Sequence, residues 1–530
     1  MEPATRFLAS RAAPILFGFL TAIEIAFVWG SLDPVATVHD EAAYLLQAKV
    51  FARGHWTAPA APLPEFFEQF HVLVTPVLAG KYPPGHSLLL APGVWLGLPG
   101  LMPVVLAGIA GGLLFLLARR FANPWVALLT WVVWTTSPGN LRFLPGYFSQ
   151  NTTIVLWLLG WWALADWLKG KGAGWLMFLS ACVAWGVLTR PFTTVGYALA
   201  AAFVVLREIL RRKAWRDLAL ALLPAAAVLA VIPVWSRATT GDALMTPYEL
   251  YSKIYFPYQR PGFGLPAAAA PRRTLPPDMA RYGEGYRAMH AAHTLASVPK
   301  DLADRAKGIL NDTWGQSRWP LSLFAFLGLF VLPGPGVFAL VSGVLLILCH
   351  IPFAHPWIWS LYYLELQAPL AFVTALGLWA VLSAVASRPR PMRREVAGSV
   401  SPGAAVGAAL LVLAAAGPLA SDVVGSRERH YIRMAYHGYF RSLVAAIPEP
   451  RAIVFVRYGP RHNEHLSLIA NEPYLQSAKA WIVYDRGPDN ARLMRRAPDR
   501  ACYLYDEAAG ALTRLQGGPP APGAREAPPG

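Results

Sequence analysis

Eleven apolar runs, many of them close to 20 residues, divide the first four fifths of this chain. A run of roughly 20 apolar residues is the length at which an α-helix crosses the ~30 Å hydrocarbon core of a bilayer. The runs fall at about 14–32, 100–118, 124–137, 149–168, 173–189, 191–206, 217–236, 320–332, 337–352, 361–385 and 403–420. A twelfth, 86–97, is too short to span and reads as a re-entrant or interfacial helix. The chain is 55% hydrophobic and only 14% charged, where soluble domains carry roughly 25% charge. The predicted fold class is an all-α polytopic membrane protein of about eleven transmembrane helices, with external amphipathic helices and a small C-terminal α/β domain.

The basic residues test this threading. With the N-terminus inside, the inner ends collect Arg6 and Arg11, Arg119-Arg120, Lys169 and Lys171, the 207–216 cluster and the 388–394 cluster. The short outer turns hold only Arg142 and Arg190 and the uncharged segment 353–360. That is the asymmetry expected of cytoplasmic loops, and it holds only if 86–97 does not cross. Three polar regions then face outward: 33–99, 237–319 and everything after about 421. The expected organisation is a transmembrane domain over 1–420, an extracytoplasmic α/β domain over 421–516 and a disordered Gly/Pro-rich tail over 517–530. The first apolar run has no small-residue cleavage site, so it reads as a retained helix. The expected location is the bacterial inner membrane, with the C-terminus extracytoplasmic.

The net charge of +16 raises the question of nucleic acid, but much of it sits beside apolar runs, and no basic patch is interleaved with aromatics for base stacking. The three cysteines, Cys182, Cys349 and Cys502, show no paired spacing, which excludes a disulfide framework or a cysteine zinc site. After an amphipathic stretch at 427–447, short apolar runs at 452–456, 480–483 and 501–504 read as strands. His462-Asn463-Glu464-His465, between the first two, reads as a polar surface cluster.

The chemistry is concentrated in residues 33–86. Asp40 and Glu41 open a segment, 40–53, whose Ala43, Leu46 and Val50 recur at helical spacing, so it reads as an amphipathic helix lying along the membrane. At a helix N-terminus the dipole keeps carboxylates ionised. Such an acid serves as a helix cap, as a general base for a hydroxyl, or as a ligand for a divalent cation. At the other end, Lys81-Tyr82-Pro83-Pro84-Gly85-His86 places a cation and an aromatic on a rigid turn. Lys81 and His86 there are within reach of a phosphate at headgroup depth.

The order of these motifs resembles the GT-C superfamily of integral-membrane glycosyltransferases, in particular the branch with protein O-mannosyltransferases, aminoarabinose transferases and the bacterial family 39 proteins. The shared pattern is a basic N-terminus, a first helix, an external loop opening on Asp40-Glu41 with Ala42-Ala43-Tyr44, and Lys81-Tyr82-Pro83-Pro84 before the next helix. Tyr147-Phe148-Ser149-Gln150-Asn151-Thr152-Thr153 and Leu188-Thr189-Arg190-Pro191 follow in order. The resemblance covers roughly residues 1–240 by motif and the rest by architecture. It implies an inverting transfer of a sugar from a polyprenyl-phosphate donor to a lipid, glycan or protein acceptor on the extracytoplasmic face. Asp40, then Glu41, are implied as base or metal contact, and Lys81 and Arg190 as contacts of the carrier phosphate. Tyr44, Tyr82, His86 and Arg142 complete the candidate substrate contacts, with His86 standing where the family carries an apolar residue. No cofactor beyond a divalent cation is implied. The alternatives are a transporter or flippase of lipid-linked glycans, which would need a midplane site, and a scaffold presenting the C-terminal domain.

Overall fold

The computed structural model describes residues 2–265, 271–386 and 401–515. The basic cluster at 388–394, part of the connector at 266–277 and the tail at 517–530 lie outside the described residues.

All eleven apolar runs form helices. Among the described residues, six helices are by themselves long and apolar enough to cross a bilayer: Ala12–Trp29, Leu101–Phe121, Pro191–Arg212, Trp215–Thr240, Ser360–Ala386 and Pro402–Ala445. Leu321–Leu329 and Gly334–Cys349 are bent by 117° about their Pro-Gly break, and make a seventh if taken together. Pro124–Thr135 and Ala173–Val187 are apolar but shorter. The chain is an integral membrane protein. Its outer surface carries Ile15, Phe203, Phe330 and Leu413, each at least 70% exposed, as a lipid-facing belt requires.

Small residues bring the first two spans together. A Cβ on Gly18 would lie 2.8 Å from the Gly108 carbonyl oxygen, and one on Gly112 would lie 2.8 Å from the Pro14 oxygen. Glycine permits this approach, which in a membrane supplies the packing that hydrophobicity cannot. At one end of the bundle, Arg119 donates to the Leu8 carbonyl (3.0 Å), while Arg120 and Lys171 pair with Asp166. The basic clusters of the early loops thus gather on one face.

The opposite face carries residues 33–86 and the C-terminal sheet. Pro402–Ala445 is one 44-residue helix, about 66 Å long at 1.5 Å per residue. It does not break near 421; the amphipathic stretch at 427–447 is its outer half. Ala404, Ala405 and Ala408 share a core with Phe17, and Arg427 donates to the Phe27 carbonyl (3.2 Å). The helix therefore runs parallel to Ala12–Trp29 and carries the sheet to the face where residue 33 emerges. Strands Ala480–Tyr484, Ala452–Arg457 and Ala501–Asp506 pair parallel in that spatial order, and Ala511–Arg514 adds antiparallel at the edge. Buried on both faces, the parallel strands are almost continuously apolar.

One face of this sheet is what covers the active-loop helix. Ala43, Leu46 and Val50 of His39–Phe51 share a buried cluster with Phe66, Phe67 and Val72 of the loop and with Ile453, Phe455, Trp481 and Cys502 of the sheet. Its other side sets Tyr44 and Ala48 into the transmembrane core. The expected surface-lying helix is thus sandwiched, and even Gln47 is buried, bonding to the Trp56 carbonyl and the Gly80 amide. The outward region expected to be helical over about 278–311 folds as Pro277–Ala292 and Val298–Trp314, broken at 293–297.

Candidate active site

A cavity of about 610 Å³ opens between the loop, the helix ends and the C-terminal domain. Asp40, Glu41, Tyr44, Lys81, Tyr82, Arg142 and Arg190 all line it. Forty residues separate Asp40 from Lys81 in the chain, and a short hairpin closes the gap: Val72–Leu73 pairs with Ala79–Gly80. His71, at its entrance, has φ +62°, a left-handed conformation that is uncommon for a residue with a Cβ and marks local strain. Its amide donates to the Tyr251 hydroxyl (2.9 Å), and its carbonyl accepts from the Lys81 amide (2.9 Å).

The two adjacent acids have different fates. The Asp40 side chain is 36% exposed, facing the cavity, whereas Glu41 is 3% exposed. Glu41 accepts four hydrogen bonds: from the Thr37 amide and hydroxyl, the Val38 amide and the Tyr147 amide. It caps its helix and ties the loop to the segment after Phe143. With every favoured lone pair occupied, and burial pushing its pKa up, it is a strut. Asp40 accepts from the Tyr82 hydroxyl, lies 2.9 Å from Nδ1 of His39 and 3.7 Å from Nε2 of His71. Burial alone would raise its pKa; the two histidines and the Tyr82 hydroxyl outweigh that and hold it well below the usual carboxylate range. It is an ionised base with one side open.

Lys81 is 1% exposed relative to its full surface and stands among three rings: Tyr248 at 4.8 Å, Tyr251 at 4.9 Å and Tyr82 at 5.1 Å. Burial pushes its pKa down to about 7, and Asp40 counteracts only in part. Arg190 precedes Pro191–Arg212 and bonds to the hydroxyls of Thr193 (3.1 Å) and Ser149 (3.2 Å), with Tyr362 at 5.5 Å. Glu365 lies within its electrostatic reach but is engaged by the Thr153 hydroxyl. Tyr44 donates to the same Ser149 hydroxyl (3.0 Å) and stacks on Tyr82 at 4.7 Å. Lys81 and Arg190 thus carry positive charge with room for an anion beside them.

His86 is the exception among the expected contacts. It is fully buried, with Nδ1 2.8 Å from the Thr152 hydroxyl and Nε2 3.0 Å from the Tyr147 carbonyl. Both ring nitrogens are used inside the protein, so it braces the helix starts and does not face the cavity. The turn before it is equally constrained. The Gly85 amide donates to the Leu188 carbonyl (2.9 Å), and a Cβ there would lie 2.5 Å from Thr189 Oγ1 and 2.8 Å from the Leu188 oxygen. Gly85→Ala is expected to cost about 1–3 kcal/mol by overpacking and to displace Lys81. Thermal unfolding in detergent reads this; an unchanged midpoint would refute it.

Several participants carry no local sequence signal. His71 has no motif. Tyr282, Tyr286, Trp359 and Tyr362 line the cavity as well. His465 belongs to the cluster that reads as surface polarity, yet its Nδ1 lies 3.3 Å from Nε2 of His39. His462 is buried against Glu507 at 2.7 Å.

His39, Asp40 and His71 offer ligand atoms that all lie within 4.8 Å of one another. Burial, then the charges of Lys81 and His39, hold His71 well below its usual pKa, hence neutral. Nδ1 of His71 is buried and has no hydrogen-bond partner among the described residues. Two imidazole nitrogens and one carboxylate suit a divalent transition ion with an open position, so the residues present fit the implied cation.

No family model matches the chain, and no curated protein does. Among solved structures it is similar to ArnT from Cupriavidus metallidurans bound to undecaprenyl phosphate, at 13% identity over 94% of each chain and a TM-score of 0.48. It is similar to the arabinosyltransferase EmbB from Mycobacterium smegmatis at 13% identity, over 79% of this chain and 40% of that one, with a TM-score of 0.44. A third likeness is to the Archaeoglobus fulgidus oligosaccharyltransferase in its apo form, at 12% identity over 90% and 65% of the two chains, with a TM-score of 0.45. With all three scores below 0.5, the chemistry of this cavity is argued from its own geometry.

Proposed function

We propose that the protein is a membrane glycosyltransferase that moves a sugar from a polyprenyl-phosphate donor to a hydroxyl of a lipid, glycan or protein acceptor on the extracytoplasmic face. The observation that carries this reading is the convergence of an open, ionised Asp40 with Lys81 and Arg190 in one aromatic-walled cavity. Asp40 takes the proton of the acceptor hydroxyl. The acceptor oxygen attacks the anomeric carbon, the bond from that carbon to the phosphate oxygen breaks, and the phosphate leaves with the electron pair. One displacement inverts the anomeric centre. Lys81 and Arg190 face the charge that gathers on the departing phosphate, the type of interaction that stabilises a transition state more than a ground state. Tyr82, Tyr248, Tyr286 and Tyr362 supply faces for the sugar ring. His39, Asp40 and His71 would hold a divalent cation, which when bound supplies Lewis-acid polarisation at the same place.

The cavity is built from loops and helix ends, such as Arg190 before Pro191 and His350 after Cys349. That favours surface chemistry over transport through a midplane site. The test is direct: full-length protein in nanodiscs, given a panel of polyprenyl-phosphate sugars, is expected to release free polyprenyl phosphate with at least one of them. Release from none, with or without added divalent cation, sinks the reading.

A further inference from the structure

Two arginines of the cavity are not accounted for by the carrier phosphate. Arg142 comes from Pro138–Phe143 and Arg433 from Pro402–Ala445; both line the cavity, and both are exposed. Arg142 lies 4.8 Å from the Phe143 ring. Arg429, one turn before Arg433, bonds to the Ser426 hydroxyl (2.6 Å) and adds a third cation. These charges act on one another: burial, then Arg142, push the Arg433 guanidinium below its usual pKa, and Arg429 adds to this against the pull of Glu41.

The acids within reach are already engaged. Both Glu41 oxygens are taken by its four donors, and Asp312 accepts from the Ser360 hydroxyl. His430, beside them, donates Nε2–H to the Leu141 carbonyl (3.0 Å), and burial holds its pKa at about 4, so it is neutral. Guanidinium groups gathered at one place repel each other. A planar fork of donors is the group best suited to an oxyanion.

We propose that Arg142 and Arg433 form a second oxyanion site in the cavity, apart from Lys81 and Arg190, which anchors a phosphate or carboxylate of the acceptor set away from the hydroxyl that reacts. This rests on the glycosyltransferase reading and narrows the acceptor to an anionic molecule. Such a site gives affinity and register: the anion fixes how far into the cavity the acceptor reaches, and so which of its hydroxyls meets Asp40.

The test uses full-length protein in nanodiscs of phosphatidylcholine, with inorganic pyrophosphate as the probe. Phenylglyoxal modification is read at each arginine by mass spectrometry. Pyrophosphate is expected to protect Arg142 and Arg433 but not Arg441, which pairs with Asp33 at 3.0 Å. R433Q should raise the pyrophosphate concentration that half-protects Arg142 about tenfold, the loss of one charge-assisted contact. Lys81→Met should leave the protection intact. No protection, or protection insensitive to R433Q, overturns the proposal. So does protection that appears with phosphatidylglycerol in the disc and to which pyrophosphate adds nothing, because the arginines then serve bilayer headgroups. Binding of undecaprenyl phosphate to the same discs, sensitive to Lys81→Met, is scored in parallel. If it persists while protection fails, only the acceptor site falls; if it too is absent, the glycosyltransferase reading falls with it.

Discussion

Asp40→Asn leaves the protein folded and membrane-inserted and lowers sugar transfer by about 10² to 10⁴-fold, the range over which a positioned general base contributes. The substitution keeps the shape of the side chain and a carbonyl oxygen for the Tyr82 hydroxyl, so the cavity wall stays in place. What disappears is the anion that accepts the proton. The loss should appear chiefly in kcat; donor affinity shifts as well, because Asp40 is the charge that partly holds up the pKa of Lys81. Glu41→Gln serves as the contrast. It weakens the cap and the ties to Thr37, Val38 and Tyr147, so its effect should appear first in the unfolding midpoint. Transfer by Asp40→Asn within a few-fold of the parent would remove Asp40 from the mechanism. His71→Ala divides the two roles open to Asp40. If the carboxylate works alone as base, activity survives chelation by EDTA in both proteins; if it works through a cation, EDTA reduces the parent to the level of His71→Ala.

Lys81→Met weakens donor binding by roughly ten- to hundredfold, the worth of a hydrogen bond to a charged group at about 1.5–3 kcal/mol. Methionine preserves the packing against Tyr82, Tyr248 and Tyr251. The same lysine sets a pH dependence. Burial lowers its pKa from 10.5 to about 7, so the free protein loses this charge as pH rises through neutrality. The groups facing Lys81 are Asp40 from its own loop's opening helix, His71 and Tyr82 from the loop, and Tyr248 and Tyr251 from Pro247–Tyr255. Asp40 stays ionised there, His71 stays neutral, and burial raises the tyrosines out of range. The donor is a phosphodiester of constant charge. Donor affinity is therefore expected to be greatest below pH 7 and to fall up to tenfold per unit above it, until the lysine of the complex also titrates. Lys81→Met should abolish that slope. A flat affinity between pH 6 and 9 in the parent would exclude Lys81 as a phosphate contact.

Much of this was legible in residue types and spacing. Every apolar run became a helix, and 86–97 became the short Gly85–Trp95 helix, too short to cross. Asp40 and Lys81, from opposite ends of the loop, both line one cavity. What was not legible depends on partners far away in the chain. Ala43, Leu46 and Val50 do form one apolar face, but periodicity does not say whether that face meets lipid or protein, and here it meets a sheet some 400 residues later. His86 had the composition of a phosphate contact; only the positions of Thr152 and Tyr147 reveal that both its nitrogens are taken. His465 and His71 enter the site by tertiary contact alone. Hydropathy likewise does not register the 117° bend between Leu321–Leu329 and Gly334–Cys349, or that Pro124–Thr135 is only 12 residues of helix.

The sandwiching of His39–Phe51 also dictates an order of events during synthesis. The helix that presents Asp40 is among the first segments to leave the ribosome, yet the strands that cover it, Ala452–Arg457, Ala480–Tyr484 and Ala501–Asp506, are among the last. Until they arrive, the cluster that Ala43, Leu46 and Val50 form with Phe66, Phe67 and Val72 lacks Ile453, Phe455, Trp481 and Cys502. The transmembrane bundle can assemble span by span, but the catalytic centre is completed only when the chain is finished. A chain truncated before these strands therefore occupies the membrane with its cavity incomplete, and under the proposed function it should transfer no sugar.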